Sequence, residues 1–338
     1  MNNFCKAILL ALALSVASYA QVHQASPSSY VPQRVYDAKT KKFGDFETML
    51  AELARAEIVF VGEQHDDANT HRLERAILEG LLRRERKVTV AFEMFERDTQ
   101  TFVNEYLAGN VTEEGFLKIS RPWPNYARDY RPLLELAKAH QWRVIAGNVP
   151  RRNASLVSKS GLKGLEALPA DERKYVAAEQ QCPMDDYFKR FAEVMSAHPT
   201  DSKADDANTK KDDSPEAKKK AEEEAAQMAV KMKAMTERFY QAQCVKDETM
   251  AESIAQAYNE ATANKPVIVH FNGAFHSDYK LGTAARTVRR LPKAIVKVVS
   301  IVPLENLDAI NVDEYRKRGD YVVFTYKPRK VEKPATEK

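Results

Sequence analysis

Apolar positions in this chain fall into short continuous runs, separated by longer stretches in which they recur every three or four residues. Residues 58–61, 88–92, 144–146, 267–271 and 294–302 are runs of the first kind, rich in Val and Ile, as expected of strands buried on both faces. Between the first two, Leu73, Ile77, Leu78 and Leu81 share one helical face and predict a helix over 68–84. Similar spacing predicts helices over 97–108, 112–119 and 130–140, and residues 151–263 read as mostly helical with no strong strand signal. A last run, 321–326, alternates weakly and reads as an edge strand. Strands alternating with helices predict an α/β fold: a mainly parallel central sheet flanked by helices, with a large helical insertion.

Three segments break this rhythm. Residues 7–17 are apolar, preceded by Lys6 and followed by Ser18-Tyr19-Ala20, the layout of a signal peptide cleaved after Ala20. The run is too short to cross a membrane, so the expectation is an exported protein of the periplasm or cell envelope, with no transmembrane span. Residues 21–45 read as a loosely ordered lead-in, and a single domain is expected over 46–327, followed by a charged tail at 328–338. Within the domain, residues 199–227 alternate acidic and basic blocks such as Lys218-Lys219-Lys220 and Glu222-Glu223-Glu224, with no aromatic residue. Such a segment cannot bury enough apolar surface to offset its ordering entropy, and it is expected as a disordered or solvated helical insertion.

Composition adds limits. Of the 338 residues 44% are hydrophobic, enough for a globular core, and the net charge of +4 is small. No basic stripe interleaved with aromatics appears, so nucleic acid is not expected as a partner. Cys5 precedes the apolar run and would leave with it. Cys182 and Cys244 then remain, bracketing the insertion as candidate disulfide partners in an oxidising compartment.

The candidate chemistry sits where strands run out. Gly62-Glu63-Gln64-His65 follows the first strand, and Gly273-Ala274-Phe275-His276 follows the strand at 267–271. Glycine allows a tight turn or a close approach, and open α/β sheets place their sites at the carboxyl ends of strands. Glu93 ends the second strand at the matching place. Glu63, His65, Glu93 and His276 thus form a candidate ligand set for one divalent metal ion. A structural alternative stays open, in which Glu63 and His65 cap the next helix and Glu93 pairs with an arginine such as Arg97. Asp66 and Asp67 are expected to cap that helix, and His71, off the leucine stripe, is expected at the surface. Tyr126, Tyr130, Asn148, Arg151, Asp247 and His270 are candidate ligand-binding residues, with packing beneath the sheet the favoured reading of the aromatics, a hydrogen-bonded core position equally open for His270, and Asp247 placed to act through another residue.

Taken in order, Gly62-Glu63-Gln64-His65-Asp66, Phe92-Glu93-Met94-Phe95, Tyr130-x-Pro132, Ala146-Gly147-Asn148-Val149-Pro150-Arg151, Gln243 to Ala251 and Gly273-x-x-His276 resemble the ChaN-like haem-binding family. That family lies in a superfamily with the Tiki proteases and erythromycin esterases, and the resemblance covers roughly residues 45–305. It implies an envelope protein that binds haem for uptake or storage, as a homodimer that shares the cofactor, with Tyr126, Tyr130 or His270 as candidate iron ligands. The wider superfamily implies a metal-dependent hydrolase built on His65, His276 and Glu93 or Glu63. The chain lacks the lipidation cysteine common in ChaN-like lipoproteins, and Phe271-Asn272 stand where smaller or more apolar residues are expected.

Overall fold

The structure, a computed structural model, describes residues 30–197, 214–261 and 265–327. The signal-peptide segment, most of the acidic and basic blocks up to 213, and the 328–338 tail lie outside the described residues. The compact unit that carries the sheet begins at Pro32.

Among the described residues, eight strands form one sheet: β1 (Gln33–Asp37), β2 (Lys42–Gly44), β3 (Ile58–Glu63), β4 (Val88–Glu96), β5 (Arg143–Asn148), β6 (Val267–Gly273), β7 (Val296–Leu304) and β8 (Tyr321–Tyr326). Their spatial order is β2-β1-β8-β7-β3-β6-β4-β5. The six strands from β8 to β5 pair in parallel, and β1 pairs antiparallel with both β2 and β8. The expected mainly parallel α/β sheet flanked by helices is therefore what the chain forms. The apolar runs explain it: β3, β4 and β6 are buried at every position, and parallel strands need cover on both faces.

The decisive step in the topology is β6. It returns from more than two hundred residues along the chain and inserts between β3 and β4, placing Gly62 opposite Asn272 and Glu63 opposite Gly273. On one face of the sheet, Ile58, Phe60, Ala91, Ile268 and Val298 pack against Ile254 and Ala257 of the Pro215–Glu260 helix and Ala284 of the Gly282–Arg290 helix. The Ala68–Leu82 helix starts as expected, with the Asp67 carboxylate accepting from the Thr70 backbone N–H at 2.8 Å, which satisfies one of the free amides of its first turn. Asp66, by contrast, faces solvent and lies 3.5 Å from Lys327.

Two expectations need correction. Residues 33–44 are not a loose lead-in but the β1–β2 hairpin, held by the backbone of β8. That pairing also makes β8 an interior strand, so its weak alternation reflects burial on both faces, and β2 and β5 are the edges. Of the disordered or solvated helical insertion expected over 199–227, residues 215–227 take the solvated helical form, as part of the 46-residue Pro215–Glu260 helix. They remain exposed where described, in keeping with their lack of apolar side chains to bury. Their Ala, Lys and Glu content favours helix, and continuity with the buried turns beyond Tyr240 spares them the cost of nucleation.

Cys182 and Cys244 are bonded, with Cα atoms 5.7 Å apart. The bridge ties the segment before the Asp186–Ala197 helix to the long helix. Its sequence separation of 62 residues corresponds to a loop-closure stabilisation of about 4 kcal/mol. Replacing both cysteines by serine should lower the urea midpoint of unfolding accordingly. A double variant as stable as the unreduced wild type would show that the bridge contributes nothing to the fold.

Candidate functional site

The two Gly-x-x-His segments meet, and each glycine makes room for the other segment. A Cβ on Gly62 would stand 3.0 Å from Ala274 Cα and 3.1 Å from the Ser277 hydroxyl, while one on Gly273 would stand 2.7 Å from His65 Nε2. The absence of a side chain at both positions is thus what lets the strand ends β3 and β6 close on each other.

Around this junction two imidazoles and several carboxylates are packed. Glu93 Oε2 accepts the Gly273 backbone N–H at 2.7 Å, and its Oε1 lies 3.2 Å from His276 Nε2. His276 Nδ1 lies 2.7 Å from Asp247 Oδ1. Asp247 in turn accepts from the Thr283 and Tyr187 hydroxyls, both at 2.8 Å. Burial alone would pull the His276 pKa down, but the charges and hydrogen bonds of Glu93 and Asp247 overcome it and hold it up, at about 10. Burial raises Glu93 and Asp247, yet His276 leaves both below the usual carboxylate range. As placed, His276 has neither nitrogen free.

Glu63, buried, forms a second network. Its Oε1 accepts from His65 Nδ1 at 2.5 Å and from the Tyr130 hydroxyl at 2.7 Å. Burial pushes Glu63 up, and hydrogen bonds from His65 and Glu74 together with the His71 charge bring it below its ordinary value. His65 is raised: burial opposes its charge, but Glu63 and Glu93 outweigh that. Behind Glu63, His71 Nδ1 lies 2.8 Å from Glu74 Oε2. Burial, then the neighbouring Glu63 and Asp129 charges, push Glu74 well above the carboxylate range.

His71 is therefore not a surface residue. It is 4% exposed, because the buried face of its helix is wider than the leucine stripe. His71, Glu74, Leu78 and Leu81 recur at intervals of three and four, the signal that could have placed it inside. The open alternative of an Arg97 partner for Glu93 also fails, because Arg97 bonds Glu252, Ser253 and the Thr249 carbonyl.

A cavity of about 460 Å³ opens on this junction, lined by Glu63, His65, Glu93 and His276 with Trp123, Phe191, Phe275 and Lys246 among others. All four residues of the candidate metal set thus face one space. They do not form a compact ligand shell: among the described residues, the group whose ligand atoms all lie within 4.8 Å is Glu63, His71 and Glu74. An adjoining cavity of about 360 Å³ shares Glu93, Trp123 and Lys246 and adds Asn148 and Arg151. Asn148 donates to the Glu93 carbonyl, and Arg151 is paired with Glu96. Lys246 lines both cavities and its charge acts on the Glu93 carboxylate, and no pattern along the chain singles it out from the other lysines.

The three residues expected as iron ligands are sequestered. Tyr126 is buried beside Phe95 and Phe116. Tyr130 is buried and spends its hydroxyl on Glu63. His270 is fully buried in β6, its Nδ1 at 3.2 Å from the Ala91 carbonyl, and burial lowers its pKa to about 4, so it is neutral.

A family described as haem-binding uptake, Tiki superfamily, ChaN, matches residues 49–287. The chain belongs to this family. ChaN of Campylobacter jejuni, whose structure is described as showing cofacial haem binding, is 15% identical and covers 87% of this chain and 96% of its own, with a TM-score of 0.60. At that identity the likeness establishes the fold. A mutant of the erythromycin esterase EreC in its open conformation gives a TM-score of 0.41 at 12% identity over 87% of this chain and 83% of its own, too low to carry an argument. The chloroplast protein RETICULATA-RELATED 5 of Arabidopsis thaliana is 24% identical over 288 residues, 81% of this chain. This chain spans only 35% of that protein's length.

Two outcomes are expected of the junction. Gly62→Ala forces a methyl against backbone and should cost about 1–3 kcal/mol in chemical unfolding; Gly273→Ala meets a half-exposed imidazole that can swing aside and should cost less. His276 keeps its proton in the fold up to about pH 10, whereas its ordinary value is 6.5. Its stabilisation is therefore complete below pH 6.5 and is lost as pH rises toward 10. Unfolding stability measured across that window should fall more steeply for the wild type than for His276→Gln, and equal slopes would refute the assignment.

Proposed function

We propose that this protein binds haem at the His65 rim of the larger cavity, and that it serves haem or iron uptake or storage in the cell envelope. One observation carries the reading. The His65 side chain is 48% exposed, with its Nδ1 proton held by Glu63, which leaves the Nε2 lone pair as a ligand. A carboxylate behind a ligating imidazole fixes its tautomer and raises its basicity. Trp123 stands edge-on to the ring at 4.7 Å, and Phe191, Val194 and Phe275 give the cavity an apolar wall.

The residues present fit the group. His65 would hold the iron, the aromatic and aliphatic wall the porphyrin, and Lys246, an ammonium lining the cavity, a propionate. Bound haem would supply a redox-active iron whose behaviour is set by its axial ligand and the polarity around it. The apolar run at 7–17 and the small residues before Gln21 support export, and the family resemblance supports a homodimer sharing haem between copies.

A second reading, a metal-dependent hydrolase, is favoured by the approach of His65 Nε2 and Glu93 Oε2 to the same side of Gly273, at 2.7 and 3.5 Å from where its Cβ would stand. Elemental analysis of protein purified without chelator tests it: a cation lost in both His65→Ala and Glu93→Gln is the result it requires.

For haem, titration of purified protein with haemin should give a shifted Soret band. His65→Ala should weaken binding about tenfold or more, while Tyr126→Phe should leave it unchanged. A proton competes with iron for Nε2, so affinity should fall as pH drops through the raised His65 pKa. A Soret band unmoved by the protein, or insensitive to His65→Ala, would overturn the assignment.

A further inference from the structure

Behind Glu63 lies a cluster of metal-ligating side chains that haem binding does not use. We propose that Glu63, His71 and Glu74 form a buried site for one first-row divalent cation. His71 Nδ1 stands 2.8 Å from Glu74 Oε2 and 3.5 Å from Glu63 Oε2. Ligand atoms of the three lie within 4.8 Å of one another, so that small side-chain adjustments would bring all three to bonds of about 2.0–2.2 Å from a shared ion. The side chains are at most 3% exposed.

Two further features point to a cation. Unless a proton is shared between the two carboxyls, Glu63 Oε2 and Glu74 Oε1 are buried with no hydrogen-bond partner, which is costly for carboxylates unless a positive centre meets them. His71 also turns its other nitrogen toward acceptors: Nε2 lies 3.3 Å from the His65 carbonyl and 3.6 Å from Asp129 Oδ2. With a cation on Nδ1, the proton on Nε2 would face these acceptors, the arrangement that backs metal-bound imidazoles. Asp129 is itself neutralised by Arg128 at 2.6 and 2.8 Å, so it does not compete for the ion. One imidazole and two carboxylates suit Zn²⁺, Mn²⁺ or Fe²⁺ rather than a soft metal. The competing occupant is a proton shared between the two carboxyl groups.

The site has a route to the cavity through a single side chain. Glu63 Oε1 accepts from His65 while Oε2 faces His71. A cation on Oε2 draws charge from the carboxylate that backs His65, so on the haem reading its binding alters the strength of the iron ligand.

The test uses the full chain, stripped of metal and dialysed against Zn²⁺ or Mn²⁺, with metal counted by elemental analysis and the site probed by the visible spectrum of Co²⁺. One ion per chain is expected in the wild type, bound about tenfold or more weakly in His71→Ala and in Glu74→Gln. His65→Ala and His276→Ala should still hold one ion per chain. Absence of an ion from the wild type leaves the shared proton as occupant and overturns the proposal. So does an ion that survives Glu74→Gln but is lost in His65→Ala or His276→Ala, which places it in the cavity. Should His71→Ala fail to fold, the near-isosteric Glu74→Gln decides. Haemin titration of the same variants is read separately, so failure of haem binding leaves the metal result standing.

Discussion

Acidic side chains at the end of an apolar sheet must find positive or hydrogen-bonding partners, and in this protein that requirement governs the arrangement of the whole carboxyl edge. Glu63 and Glu93 are carried into the interior by strands too apolar to leave it, and burial of an unpaired carboxylate is costly. Glu93 meets the backbone amide of Gly273 and the ring of His276, which is possible only because β6 inserts between β3 and β4. Glu63 meets His65, Tyr130 and the cluster around His71. The long helix contributes Asp247 to the first network and Lys246 to the cavity between them, so the sheet, the insertion and the cavity wall share one electrostatic solution.

Within that solution the two histidines of the paired motifs take different parts. His276 is enclosed by Asp247 and Glu93 and held as an imidazolium, a structural cation at the heart of the fold. His65 stands at the rim with one nitrogen anchored on Glu63 and the other beside Gly273. Sequence symmetry between the motifs thus conceals a division of labour that arises from burial together with the carboxylates each ring meets.

Much of the architecture is legible in residue patterns. Continuous β-branched runs identify β3, β4, β6 and β7, Asp67 marks the start of the Ala68–Leu82 helix, and the two cysteines flanking the insertion stand out as a pair. The gathering of Glu63, His65, Glu93 and His276 on one cavity follows the glycine-histidine repeats at strand ends. What the patterns do not carry is decided by tertiary context. The β1–β2 hairpin is too short and polar to announce itself and depends on β8 for its pairing. His71 and Glu74 are polar residues on a buried face, which a search for leucines passes over. Tyr126 and His270 are ligands by residue type, but their packing leaves them no access to the cavity.

The reciprocal fit of Gly62 and Gly273 also bears on how this sequence can change. At each position added bulk would meet atoms contributed by the opposite half of the chain. Recombination between diverged relatives that swaps only one of the two loops would therefore bring together contours that never evolved against each other. Viable chimaeras should inherit both loops from a single parent, although more than two hundred residues separate them along the polypeptide.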